Sequence, residues 1–350
     1  MVDQAEAFFD VNLFCPDLFS ESIPSFGSLE PSTETRLSRL FEENYPNCGR
    51  LEKITRCGEI GINSANFRIK TNESSYILKC VSKSFDEVKP TVDLAVWLHR
   101  QGVAVPSIYA NNIEQLITRG SNDVFYLMEE VVGSFVSGEH EDTAKIRELF
   151  ESLLALSSSL TYPPANIPLL PLLSADDYAV LQDFERKLDF AADLLGVEAA
   201  KCLVRRWSEI RNLVVEHIAD LGNNPLRTGL MHIDLHPHNI MLSKLERRAV
   251  ALDLDSFRIC APEVAMGFGL FKILRQTGTK ACSISQLRSV KEELMSFDHA
   301  LSATRYLLLA RTEVLRRIVV ILRLSLQGDK TWCHVLPVHL RGLNEIEVLL

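Results

Sequence analysis

The sequence predicts an α+β protein of two lobes, a small β-rich one followed by a large, mostly helical one. Three observations carry this. Short β-like runs cluster between residues 51 and 131. From residue 144 onward, apolar residues at a spacing of three to four dominate. A chain of 350 residues exceeds one typical domain, so two packed units are the natural arrangement.

Taken in order, residues 1–34 mix Pro, Ser, Gly and acidic residues without periodicity, which predicts a flexible or loosely docked extension. Thr35–Asn44 reads as a short amphipathic helix with Leu37, Leu40 and Phe41 on one side, within an N-terminal extension spanning 1–50. The first lobe, 51–131, opens with a weakly patterned strand at Leu51–Cys57. Asn66–Lys70 and Ser75–Val81 then form a strand–turn–strand around Thr71–Ser74. Pro90 opens a helix over Thr91–Gln101 that Gly102 closes. Gln115–Thr118 and Val124–Glu129 complete a β-β-β-α-β-β order.

The second lobe, 132–350, begins with a change to helix at Val132-Gly133. Ala144–Leu156 carries Ile146, Leu149, Phe150, Leu153 and Leu154 on one face. Pro163, Pro164, Pro168 and Pro171 mark a loop, and Ser174 to Asp177 starts a further helix as a capping box. Ala199–Leu221 and most of 286–327 are helical patterns, with a β-rich patch at Asn239–Leu254 between them. Phe268, Leu270, Phe271, Ile273 and Leu274 make an apolar helical face that reads as core.

Bulk properties exclude several function classes. The formal net charge is −9 and the pI about 5.6. No block of Lys and Arg occurs, so no nucleic-acid partner is expected. The acidic balance would tolerate a cationic small molecule. Eight cysteines are scattered without a CxxC pair, the pattern of free thiols in a reducing cytosol rather than of a disulfide framework or zinc site. The start, MVDQAEAFFDVNLF, has no positive region before an apolar stretch, so no secretory signal is read there. The most apolar helical run, Tyr306–Leu324, is interrupted by Arg311, Glu313, Arg316, Arg317 and Arg323. It reads as a core helix rather than a membrane span. The expected location is the cytoplasm, with no membrane partner; nothing in the sequence sets an oligomeric state.

The chemistry concentrates in Met231–Ser256, MHIDLHPHNIMLSKLERRAVALDLDS. Asp234 and Asn239 stand five residues apart. Asp253 follows the β-like run Ala249–Leu252, with Asp255 two residues on. Phosphoryl transfer needs a carboxylate to orient a hydroxyl and take its proton, oxygen donors to hold a divalent cation, and a positive charge to meet phosphates. Lys79 is a lone cation inside the apolar run Tyr76–Val81, and such a lysine needs a partner.

The pattern His232-x-Asp234-x-His236-Pro237-x-Asn239, followed by Leu252-Asp253-Leu254-Asp255, resembles the aminoglycoside phosphotransferase/choline kinase family. That family typically shows His-Gly-Asp-Leu-His-x-x-Asn and then Ile-Asp-x-x. The resemblance covers about residues 51–330. It implies a bilobal, protein-kinase-like fold and an ATP- and Mg²⁺-dependent kinase acting on a small-molecule hydroxyl. By the same resemblance Asp234 is the catalytic base, and Asn239 and Asp253 are the Mg²⁺ ligands. His232 and His236 support the loop, and Asp255 shares the metal or orients the loop. Lys79 contacts the ATP phosphates, paired with an acid of the following helix: Asp93, or failing it Glu87. Gly58–Ser64 is the phosphate-covering loop, with Asn63 and Ser64 serving the phosphates. Met128–Val131, including Glu129 and Val131, is the hinge whose backbone meets adenine.

Two departures from the family stand out. A Gly-Asp-x-x-x-Asp-Leu-Ala segment is replaced here by Ala261–Gly269, and residues 1–50 have no family counterpart. The expected acceptor is a sugar or amino sugar, with aminoglycosides and amino alcohols as further candidates. Two other readings stay open: a metal-dependent hydrolase using the alternating His232, Asp234, His236 and His238, and a non-catalytic pseudokinase.

Overall fold

The computed structural model describes residues 26–27, 29–57, 64–120, 123–136, 142–159, 167–280, 283–295 and 301–350. The first lobe is an antiparallel sheet. Its strands are β1 (Phe26–Gly27), β2 (Leu51–Cys57), β3 (Ser64–Thr71), β4 (Ser75–Val81), β5 (Ile108–Tyr109), β6 (Thr118–Arg119) and β7 (Val124–Glu129). They are ordered β1-β2-β3-β4-β7-β5, with β6 also on β7. Only part of the expected strand at Gln115–Thr118 forms. Asn111 Oδ1 accepts the amides of Ile113 and Gln115, so the chain is held in a turn until Thr118.

The first helix among the described residues, α1 (Pro31–Asn44), begins four residues ahead of the expected Thr35, taking in the end of the 1–34 segment, and is docked on the sheet. Leu37, Phe41 and Tyr45 are all but fully buried against Ile54, Phe67, Ile69, Leu78 and Phe125 of the sheet. The Tyr45 hydroxyl meets Thr118 Oγ1 at 3.1 Å. The opposite face of the sheet is covered by α2 (Phe85–Arg100) through Val88 and Val92 on Val81, Val124 and Tyr126. This helix starts ahead of the expected Pro90. Ser84 and Glu87 form a reciprocal capping box that satisfies the first-turn amides, and Pro90 lies inside the helix.

The second lobe starts with a strand, not a helix. Three residues, β8 (Gly133–Phe135), pair with β10 (Ile240–Ser243), which also pairs with β11 (Ala249–Ala251). A second ribbon joins β9 (Gly229–His232) to β12 (Phe257–Cys260). Around them lie α3 (Thr143–Ser158), α4 (Ala175–Glu185), α5 (Ala191–Leu195), α6 (Val197–Arg205), α7 (Trp207–Asn223), α8 (Pro262–Lys280), α9 (Ile284–Met295), α10 (Ala303–Leu326) and α11 (Leu336–Leu349). The long pattern over 286–327 thus belongs to two helices. No helix among the described residues is long and apolar enough to cross a membrane.

Two glycines set how closely α8 approaches its neighbours. A Cβ at Gly267 would stand 2.3 Å from the Tyr306 carbonyl oxygen of α10, and one at Gly269 would stand 3.0 Å from the Leu235 carbonyl oxygen. The segment that departs from the family pattern is therefore the one that lets α8 pack on both α10 and the loop carrying Asp234.

Because α1 supplies part of the first lobe's core, Phe41→Ala should cost about 3–5 kcal/mol of stability. The check is the shift in urea-unfolding midpoint. A change within the range of a surface substitution would mean that the helix is not part of that core.

Candidate active site

The loop after β9 is built on a buried imidazole. His232 is fully buried. Its Nε2 lies 2.9 Å from the Leu252 carbonyl and 3.2 Å from that of Asp253, and its Nδ1 accepts the Asp234 amide at 3.2 Å. Two carbonyls on one side and an N–H on the other fix the Nε2–H tautomer. Burial holds its pKa below the ordinary value, so the ring stays neutral. One side chain thereby ties the Asp234 backbone to the Asp253 backbone.

Asn239 closes the same loop. Its Nδ2 donates to the Asp234 carbonyl at 3.0 Å, and its own carbonyl accepts the Leu252 amide at 2.8 Å. With the amide nitrogen engaged, the side-chain oxygen is the remaining acceptor. Asp253 sits in the left-handed region, φ 52° and ψ 64°, a conformation uncommon outside glycine and enriched where function requires it. Its Oδ2 accepts the Ser256 hydroxyl at 2.7 Å. Asn239 and Asp253 offer hard oxygen donors, the kind that suit Mg²⁺.

Lys79 reaches this region from β4. Its ammonium, 5% exposed as a residue, donates to Asp255 Oδ2 at 2.6 Å and lies 3.6 Å from Asp253 Oδ1. Thr91 of α2 donates to the other oxygen of Asp255 at 3.0 Å. Burial works against the charged lysine, but Tyr126, Asp255 and Asp253 together raise its pKa. The expected pairing with Asp93 is corrected: Asp93 is bonded one turn away to Lys89 of the same helix. Glu87 is engaged in the capping box. The acid comes from the turn after β11 because the Lys79 side chain points into the sheet's covered face, where Asp255 stands.

Asp234 has partners that the sequence reading missed. Lys272 of α8 donates to Oδ1 at 2.7 Å, and Arg317 of α10 donates to the same oxygen at 3.2 Å. The other oxygen, Oδ2, lies 3.8 Å from His236 Nε2. Burial would raise the Asp234 pKa, yet the Lys272 and Arg317 cations hold it well below the usual carboxylate range. Arg317 is itself fixed by buried Glu313, whose Oε1 accepts its Nε at 2.8 Å. The signal for both cations was present, since a charge on an apolar helical face needs a partner as Lys79 does.

The remaining expected residues lie as follows. Glu129 ends β7, and its carboxylate accepts the Ser107 amide at 3.2 Å. Val131 follows, half-buried, and Glu130 pairs with Arg68 at 2.8 Å. Asn63 and the rest of Gly58–Asn63 fall outside the described residues; Ser64 begins β3. The alternating histidines do not converge as a metal cage. Both His232 nitrogens are engaged with backbone, and His236 Nδ1 accepts the His238 amide at 3.2 Å.

A family model described as APH, phosphotransferase enzyme family, matches residues 56–262, more than half of the chain. A search of the curated proteins finds no match. Among solved structures, the fold is similar to a spectinomycin phosphotransferase in complex with ADP and spectinomycin. The TM-score is 0.64 at 12% identity, over 91% of this chain and 98% of that one. A choline kinase from Streptococcus pneumoniae gives a TM-score of 0.57 at 13% identity, over 90% and 99%. An amicoumacin kinase in complex with AMP-PNP, Ca²⁺ and its ligand gives 0.57 at 13%, over 90% and 93%.

The loop should make the protein acid-sensitive. Burial first, then the Lys272 charge, brings the His236 pKa from 6.5 to about 3. Between those values the unfolded chain binds a proton that the folded one refuses. The stabilisation is therefore complete above about 6.5 and is lost as pH falls toward 3. The urea midpoint should drop across that window, and drop less in His236→Asn, which keeps an acceptor for the His238 amide. Equal slopes in the two proteins would remove His236 from the account.

Proposed function

This chain belongs to the phosphotransferase enzyme family and is a small-molecule kinase, and on that premise we propose that it moves the γ-phosphoryl group of ATP to a hydroxyl group through Asp234. The supporting observation is that His232 binds the Asp234 loop to the Asp253 turn, while Lys79 enters the same turn from the first lobe. We take 51–131 as the nucleotide-binding lobe and 132–350 as the lobe for catalysis and acceptor. The similar structures holding ADP, or AMP-PNP with Ca²⁺, support nucleotide and divalent-cation use.

In this reading the acceptor hydroxyl meets Asp234 Oδ2, because Oδ1 is already held by Lys272 and Arg317. The bond from the γ-phosphorus to the ADP oxygen breaks and one to the acceptor oxygen forms, while the hydroxyl proton passes toward Asp234. A carboxylate of such low basicity acts mainly by orienting the hydroxyl, which suits a transfer that depends on positioning. Asn239 and Asp253 would hold Mg²⁺, which when bound neutralises phosphate charge. Lys79 adds a fixed cation for the phosphates, and His232 keeps both loops in place. For the acceptor, the sequence favours a sugar or amino sugar, followed by aminoglycosides and amino alcohols.

The test is acceptor-dependent ADP release by the purified protein with Mg²⁺-ATP, across sugars, amino sugars, amino alcohols and aminoglycosides. Asp234→Ala should lower kcat by roughly 10²–10⁴-fold while leaving Mg²⁺-ATP affinity within a few-fold. Asp253→Ala should instead abolish the metal-dependent part of nucleotide binding. Near-normal turnover by Asp234→Ala would end the assignment of that residue.

A further inference from the structure

Any hydroxyl presented to Asp234 brings the rest of its molecule against whatever else flanks that carboxylate. Beside His236 near Oδ2, the flanking groups are the two cations on Oδ1. Lys272 and Arg317 both reach Oδ1, and both lie over the Phe268 ring, 4.5 and 4.4 Å from its centroid. Their side chains are 20% and 23% exposed, so neither is fully enclosed.

The charges here do not balance. Glu313 is taken up by Arg316 on both oxygens and by Arg317 as well. Among the described residues, Lys272 and Arg317 share Asp234 while Arg316 and Arg317 share Glu313, three cations on two carboxylates, with Asp177 also in the field of Arg316. Donors also outnumber acceptors. Lys272 has three N–H groups and, among the described residues, one hydrogen-bond acceptor, Asp234. Arg317 uses Nε on Glu313 and Nη2 on Asp234 and the Ile233 carbonyl, and its Nη1 has no acceptor among the described residues. The same two cations also act on two neighbouring histidines. Burial, and then the Lys272 or Arg317 charge, lowers the pKa of His236 and of His339 to about 3 each.

Resting on the kinase reading, we propose that the acceptor carries an anionic group, a carboxylate or a phosphate, close to its reacting hydroxyl, held by Lys272 and Arg317. A lysine and an arginine beside one another suit such an oxyanion through charge-assisted hydrogen bonds. A polycation or an amino alcohol would place its own charge against theirs. The chain's net charge of −9 points the other way, but the charges within contact of the acceptor determine its class.

The experiment uses matched sets of one skeleton: gluconate, glucose, glucosamine and glucose 6-phosphate; glycerate, glycerol, 3-amino-1,2-propanediol and glycerol 3-phosphate. Transfer from Mg²⁺-ATP is measured with the wild type and Lys272→Gln. Calorimetric binding of the same compounds is measured beside it, with Mg²⁺-AMP-PNP present. An anionic member should have the highest kcat/KM, and the carboxylate and phosphate arms separate the two sources of charge. Lys272→Gln should raise KM for that member by roughly ten- to a hundredfold, the weight of a charge-assisted hydrogen bond. Preference for a neutral or amino member would overturn the proposal. So would a variant whose kcat falls alike for all members with KM unmoved, since the cation would then serve the transferring phosphoryl group. If no compound is phosphorylated, anion binding that is lost in Lys272→Gln supports the site and counts against the kinase reading. Anions that bind no better than their neutral counterparts overturn the site itself.

Discussion

A lysine carried on an apolar strand must find a carboxylate, and in this molecule that requirement fixes how the sheet lobe meets the helical lobe. Lys79 is buried on β4 between neighbours that offer no acid. Its partner Asp255 comes from the turn after β11, and Thr91 of α2 holds the second oxygen of the same carboxylate. Three separate elements thus meet at one acid. An unpaired buried charge is costly enough that this contact constrains the backbone on both sides. The same turn carries Asp253, so the proposed phosphate-binding lysine and the proposed metal carboxylate are positioned by one short segment.

The second constraint is the neutral, fully buried His232. Its two nitrogens join the amide of Asp234 to the carbonyls of Leu252 and Asp253. That leaves the functional side chains to be set by what surrounds them. Asp253 is presented from a left-handed backbone, and Asp234 is held ionised by two cations. The outcome is a site in which Asp234 stays charged, consistent with the proposed transfer, which depends more on placement than on strong base chemistry.

Much of this was legible in local sequence. The strands at Leu51–Cys57, Ser75–Val81 and Val124–Glu129 follow from alternation, and Asp234, Asn239 and Asp253 stand out by their spacing. Errors arose where a local signal competed with a stronger one. Pro90 carries the signal of a helix start, yet the Ser84–Glu87 capping box satisfies more backbone amides and wins. Asp93 has the expected place on the helix, but Lys89 lies one turn away on the same exposed face. The β8 strand is too short to show a period. The N-terminal helix showed its apolar face, while the sheet that covers it is assembled from residues up to ninety positions away.

By itself the sequence determined the two-lobed α+β order, the phosphotransferase family and the residue types that can perform the reaction, because these depend on spacing within short segments. The tertiary structure decided which acid meets Lys79, and it brought Lys272 and Arg317 onto Asp234 from helices 38 and 83 residues away. Charge–charge energies depend on distance and burial in space, not along the chain. An overall balance of −9 is therefore compatible with a locally cationic site.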